Sequence, residues 1–180
     1  MEGPRTDPDR ARLPRPLPLP LRVLIGLISD THGLLRPEVH GALAGVALIL
    51  HAGDVGGDEI LDELMLIAPV LAVYGNTDPP GNPRLVPSLE RTVDGVRIRV
   101  SHGHELGVPR PEGLLAANDA DVLVYGHTHV ARVVRTNGRL VVNPGAAGPA
   151  RFQHQPSVAI LTVQAGRADV RVVPLHSGPA

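Results

Sequence analysis

Five separate apolar, strand-like runs in this chain stop at a short segment that combines glycine with Asp, Asn or His. That recurrence constrains the fold more than any other feature. Residues 21–29 run into Asp30-Thr31-His32-Gly33, and residues 46–51 into Ala52-Gly53-Asp54. Residues 69–74 stop at Gly75-Asn76-Thr77-Asp78, residues 96–101 at His102-Gly103-His104, and residues 121–125 at Gly126-His127-Thr128-His129. Runs of four to nine apolar residues bounded by such breakers read as buried strands. In α/β folds, sites form beyond the carboxyl ends of strands, where loops meet. The five segments are therefore expected to converge.

The connecting stretches complete the pattern. Residues 37–43 and 58–66 read as helices; Ile60, Leu61, Leu64 and Met65 are spaced for one face. The alternation implies parallel βαβ units in the first half. The second half reads as hairpins: Asp94-Gly95 joins 90–93 to 96–101, and Asn137-Gly138 joins 130–135 to 139–142. A helix over 112–118 and strands over 158–163 and 169–173 finish a single domain spanning residues 21–176. The Pro- and Arg-rich stretch 1–20 has no uninterrupted apolar segment; a disordered tail is expected rather than a signal peptide.

Composition removes whole chemistries. There is no cysteine, which excludes disulfides, thiolate nucleophiles, Fe–S clusters and Cys-type zinc sites. All 17 basic residues are Arg, so neither a Schiff-base lysine nor a P-loop lysine is available. A net charge of −1 offers no electrostatic case for a nucleic-acid groove or an anionic membrane surface. No apolar run approaches the ~20 residues of a membrane span. These features lead to an expected cytoplasmic setting. A homodimer is compatible with the sequence, but no feature calls for one.

Asp30/His32 and His127/His129 are i, i+2 pairs, expected to project to one side of near-extended backbone. With Asp54, Asn76 and His102 they form a seven-member N/O donor set without sulfur. Such a set suits Mn²⁺, Fe²⁺, Zn²⁺ or Ni²⁺ over softer ions. Seven donors exceed one tetrahedral site and divide into two if a carboxylate is shared. Singly, each residue has a plainer reading: Asp30 as a helix cap, Asn76 as a turn residue. Asp78 is expected to orient a neighbour, His51 to pack behind the site, and His40, His154 and His176 to lie outside it. Arg36 and Arg132 are expected to be solvated.

The motif order D-x-H, G-D, G-N-x-D, H-G-H and G-H-T-H over Asp30 to His129, with Asn143-Pro144-Gly145 and Arg151 beyond, resembles the calcineurin-like metallophosphoesterase superfamily. Within it, the G-N-T-D form is similar to the small bacterial and archaeal phosphodiesterase branch; a retromer scaffold subunit shares the fold. The resemblance implies an α/β, four-layer αββα sandwich of two mixed β-sheets flanked by helices. It also implies a ligand partition. One metal takes Asp30, His32, Asp54 and His129, and the other takes Asp54, Asn76, His102 and His127, so that Asp54 bridges.

Two divalent ions ~4 Å apart repel by roughly 4 kcal/mol even in water's dielectric, which a bridging Asp54 would offset. Metal-bound water with its pKa lowered towards ~7 supplies hydroxide for in-line attack on phosphorus. The expected cofactors are thus two divalent ions, Mn²⁺ first, with Fe²⁺, Ni²⁺, Zn²⁺ or Mg²⁺ as alternatives. The expected substrate is a small phosphodiester or nucleotide. Many relatives carry His where Thr77 stands, and a threonine hydroxyl is too weak an acid to replace it. His104 is the candidate proton donor and substrate contact; Asn76 and Arg151 are further candidates for contacting phosphate. Ala146 stands where relatives often have Ser. The competing reading is a non-catalytic interaction scaffold of the same fold.

Overall fold

The structure is a computed structural model that describes residues 21–150 and 154–176. The expected tail over 1–20 and the Arg151 expectation lie outside the described residues. Among the described residues, eleven strands form two mixed sheets. The first has the order β11-β10-β1-β2-β3-β4, from β1 (Val23–Ile28), β2 (Leu48–His51), β3 (Val70–Val73), β4 (Leu85–Val86), β10 (Ser157–Gln164) and β11 (Arg167–Pro174). The second has the order β5-β6-β7-β9-β8, from β5 (Ser88–Val93), β6 (Val96–Ser101), β7 (Val122–Val124), β8 (Arg132–Thr136) and β9 (Arg139–Asn143). Helices α1 (Glu38–Ala42) and α2 (Asp58–Met65) provide the crossovers between parallel β1, β2 and β3, as the alternation implies. Helix α3 (Pro111–Ala116) follows a short 3₁₀ turn at His104–Leu106.

Side-chain alternation explains the layering. Along β10, Ala159, Leu161 and Val163 face the second sheet and join Ile25, Leu27, Ile98, Val124 and Val142 in the core between sheets. The intervening Val158 and Ile160 face the opposite way and pack with Val39 and Leu43 near α1 and with Ile60, Leu61 and Leu64 of α2. Helix α3 covers the far side of the second sheet through Leu114, which packs with Leu123, Tyr125 and Val141. Two mixed sheets with few helices make up the sandwich. The cores are almost wholly aliphatic, in keeping with only three Tyr and Phe residues in the chain.

Three local readings are corrected. Met65 is 48% exposed, because α2 ends there and its buried stripe stops at Leu64. The short strand β4 was not visible as a run, since its two residues take their order from pairing with β3. Both hairpins turn where expected, with positive φ at Asp94-Gly95 and Asn137-Gly138, although β5 begins at Ser88 and β8 at Arg132.

Candidate metal centre

The five strand-end segments meet at one edge of the sandwich. Segments after β1 and β2 are laced by backbone hydrogen bonds: Asp30 N–H to the Gly53 carbonyl (3.0 Å), His32 N–H to Asp54 (2.9 Å) and Gly33 N–H to Val55 (2.9 Å). The Gly126 N–H donates to the His102 carbonyl (3.1 Å), which ties together the segments after β6 and β7. At Gly75 an added Cβ would lie 2.1 Å from Asp54 Oδ1, and at Gly126 it would lie 2.0 Å from Ser29 Oγ. Glycine is required at both positions because the backbone itself closes the cluster.

Ligand atoms of Asp30, His32, Asp54 and His129 all lie within 4.8 Å of one another. The means of convergence differs from expectation. Asp30, His32, His127 and His129 have φ of 55°, 46°, 66° and 60°, in the left-handed region rather than extended. Asp and His tolerate that region better than most residues, and the interloop hydrogen bonds hold them in it.

Both carboxylates have one oxygen anchored and the other aimed into the cluster. Asp30 Oδ2 accepts from Ser29 Oγ (2.7 Å), while Oδ1 faces His129 Nε2 at 3.2 Å and His32 Nε2 at 4.0 Å. Asp54 Oδ1 accepts the Thr77 N–H (2.9 Å), while its Oδ2 faces His102 Nε2 at 3.4 Å and His32 Nε2 at 3.8 Å. His102 Nδ1 donates to the Ala52 carbonyl (2.7 Å), which leaves Nε2 for the cluster. Asp30 Oδ1 and His102 Nε2 are buried and make no hydrogen bond among the described residues.

Buried oxygen and nitrogen lone pairs turned toward one another are costly unless a cation lies between them. Two donors ~2.1 Å from a single ion stand ~3.0–3.5 Å apart at ordinary coordination angles. The closest contacts here match that spacing, and the donors are hard or borderline, so the residues fit a divalent ion.

A proton answers the same demand in the metal-free protein. Burial would lower the His102 pKa, but its contact with Asp54 and the charge of Asp30 raise it. Burial would raise that of Asp54, but His102 and the Thr77 N–H together hold its carboxyl well below the usual carboxylate range. His127 has its ring 5.2 Å from that of His102 and is lowered by burial and then by its charged neighbour.

The remaining candidates are placed differently. Asn76 is exposed, makes no side-chain hydrogen bond among the described residues, and lines an adjoining cavity with His104. The His104 ring is 5.4 Å from His102 and 6.3 Å from His127, at the mouth of the cluster. Asp78 orients neighbours as expected, accepting the N–H groups of Gly56 (2.9 Å) and Gly75 (2.8 Å). His51 sits behind the site, fully buried. Its Nδ1 accepts from Gly53 N–H (3.2 Å), so Nε2 donates to Thr31 Oγ1 (2.9 Å), which donates to the Val55 carbonyl (2.8 Å). Burial pushes the His51 pKa down to about 4. His154 and His176 are exposed, and His40 pairs with Glu63 on the surface.

Arg36 departs from its expected solvated state, because its Nε donates to the Gly148 carbonyl (2.9 Å). Sequence reasoning missed Ser29 and Thr31, which were read only as a strand end and a spacer. It named Asn143 without a role. Its Nδ2 donates to Gly126 O (2.8 Å) and Thr128 Oγ1 (3.0 Å), bracing the segment that carries His127 and His129. A polar residue beside each candidate donor was the available signal.

Fold and site define a class: a two-sheet sandwich with a buried, sulfur-free Asp/His cluster at its strand ends, suited to divalent cations. Residues 23–166 match the calcineurin-like phosphoesterase superfamily domain, and the chain belongs to that superfamily. The chain is 35% identical over 159 residues to a probable metallophosphoesterase of Methanothermobacter thermautotrophicus, covering 84% of this chain and 92% of that protein. Among solved structures it is similar to an archaeal phosphodiesterase (TM-score 0.68, 25% identity, 84% of this chain and 100% of the other). It is also similar to Vps29 of Chaetomium thermophilum (TM-score 0.72, 25% identity, 84% and 96%). Among the described residues, no helix is long and apolar enough to cross a membrane.

Proposed function

We propose that this protein is a metal-dependent phosphodiesterase that hydrolyses a P–O bond with two divalent ions, Mn²⁺ foremost. One observation carries the reading: Asp54 Oδ2 faces histidines of both halves of the cluster, His102 and His32, while its other oxygen is anchored. Asp30, His32, Asp54 and His129 would hold one ion; Asp54, Asn76, His102 and His127 would hold the other. When bound, such ions supply Lewis acidity and a water acidified enough to attack phosphorus near neutral pH.

The chain's own residues do the rest. Ser29, Thr77 N–H and the Ala52 carbonyl fix the rotamers of Asp30, Asp54 and His102 before substrate arrives. Asn76, whose side chain has no hydrogen-bond partner among the described residues, donates its amide N–H to a phosphate oxygen. His104 donates a proton to the departing alkoxide, a role that Thr77 cannot fill. Arg151, outside the described residues, is a further phosphate contact in this reading. A cytoplasmic setting belongs to the same reading and rests on composition.

The similarity to Vps29 supports a second reading, a metal-binding interaction scaffold. Retention of every candidate donor favours the enzyme. The test is hydrolysis of bis(4-nitrophenyl) phosphate with and without Mn²⁺. The enzyme reading expects metal-dependent turnover that His102→Ala abolishes. Inert protein with every divalent ion, or undiminished turnover in His102→Ala, defeats it.

A further inference from the structure

Beside the cluster lies a cavity of about 560 Å³, within the range of small-molecule sites. Tyr74, Asn76, Asp78, Pro79, Pro80 and His104 are among its walls. Asn76 and His104 belong to both the cavity and the cluster, so a molecule held by its phosphate at the metals extends into this space. Among the described residues the walls carry no arginine, and the chain has no lysine. Asp78 is spent on two backbone N–H groups, and the amide of Asn82, also in the wall, is engaged with Asp58 and the Arg84 N–H. The wall further offers Leu85, the rings of Pro79 and Pro80, and a tyrosine ring 38% exposed, tilted 52° to His104 at 6.0 Å.

Apart from His104, which this reading commits to the leaving group, a second phosphate would find no cationic side chain among the described wall residues, and a sugar would find few free hydrogen-bonding groups. A flat, uncharged ring would find an aromatic face and proline surfaces. We propose that this cavity receives the alcohol half of a phosphodiester, and that its proper occupant is a nucleobase or similar uncharged ring laid against Tyr74. The proposal rests on the phosphoesterase reading and adds a substrate class to it: nucleoside diesters are preferred over diesters of sugars or of phosphorylated alcohols.

The test uses Mn²⁺-loaded full-length protein. Calorimetry compares adenosine 5′-monophosphate with ribose 5-phosphate, which bears the same phosphate without the base. The nucleotide is expected to bind about tenfold tighter, a factor typical of one stacked base. Tyr74→Ala should bring the two within about twofold and leave ribose 5-phosphate unchanged, while Tyr74→Phe keeps the preference. Pro80→Asp, at an exposed position, should give the same collapse if Tyr74→Ala does not fold. Equal affinities in the wild type, a preference that survives both variants, or failure of both ligands to bind overturns the proposal. Hydrolysis of bis(4-nitrophenyl) phosphate separates the two readings. Turnover without base preference removes the pocket assignment alone. Base preference without turnover of any diester keeps the pocket and removes the enzyme.

Discussion

Asp30, His32, Asp54 and His129 present ligand atoms within 4.8 Å of one another, walled in by backbone that hydrogen-bonds from loop to loop. Across Asp54, His102 and His127 stand 5.2 Å apart by ring centroid, and Asn76 is exposed at the rim of a cavity. The closed half combines β1 and β2 segments of the first sheet with one histidine from the second. The open half combines β2 and β3 segments with two histidines from the second sheet. In the proposed reading, the closed half would hold a cation and the open half would meet the substrate. Asp54 is the side chain common to both.

The largest effect should come from that shared group. Asp54→Asn should lower Mn²⁺-dependent diester hydrolysis about a thousandfold or more and reduce bound metal from two ions to at most one, read by kinetics and elemental analysis. Two ions retained would break the idea that the halves share a carboxylate. Gly75→Ala attacks the same carboxylate from the backbone, through its anchored Oδ1. Overpacking against Asp54 should cost about 1–3 kcal/mol in urea melts and about a hundredfold in activity. Next, His129→Ala and His127→Ala should each lose about a hundredfold in activity yet differ in metal content. Only the His127 variant should keep an ion that survives dialysis, because the closed half is intact. The reverse pattern would invert the comparison. Ser29→Ala, which frees Asp30 Oδ2, should weaken metal binding about tenfold by titration, with the fold unchanged.

The smallest effect concerns metal-free stability, where two buried histidines act with opposite sign. His51 titrates near 4 when folded and near 6.5 when unfolded, so the unfolded chain binds more protons between those values. Its contribution is complete above pH 6.5 and is lost as pH falls toward 4, roughly 3 kcal/mol in all. His102 is raised, so its contribution is complete below pH 6.5 and is lost as pH rises through its folded pKa. Asp54, being depressed, adds a loss only as pH falls below the ordinary carboxylate range. Urea melts of metal-free protein across pH 4–8 should show His51→Gln flattening the acid limb and His102→Ala the alkaline one. A slope unchanged in either variant would show that its histidine does not carry that limb.

Much of this was legible because strands and sites obey local rules. The runs ending at Asp30, Asp54, Asn76, His102 and His127 became β1, β2, β3, β6 and β7, each strand within three residues of its candidate donor. The Asp94-Gly95 and Asn137-Gly138 turns followed from the positive φ that a tight hairpin demands. Other features were hidden. Strand β4 has only two residues and exists through pairing with β3. The i, i+2 pairs suggested extended backbone, yet their donors converge through left-handed φ values that depend on hydrogen bonds from other loops. Ser29 and Thr31 look like spacers until the groups they touch, Asp30 and His51, are in place.

By itself, the order of residues determined where strands stop and which side chains stand at those stops, because burial periodicity and glycine breakers act over a few neighbours. It also determined the chemistry on offer: oxygen and imidazole donors, with neither thiolate nor lysine. Tertiary structure decided which stops meet. Antiparallel β10 lies against β1, and β9 lies parallel to β7. Those pairings join residues far apart in the chain and build the two sheets, whose packing brings Asp30 to His129 and Asp54 to His102. The physical reason is range. Propensity and pattern are local, whereas a cluster of donors exists only once sheets have packed and the interior has excluded the water that would otherwise satisfy each group alone.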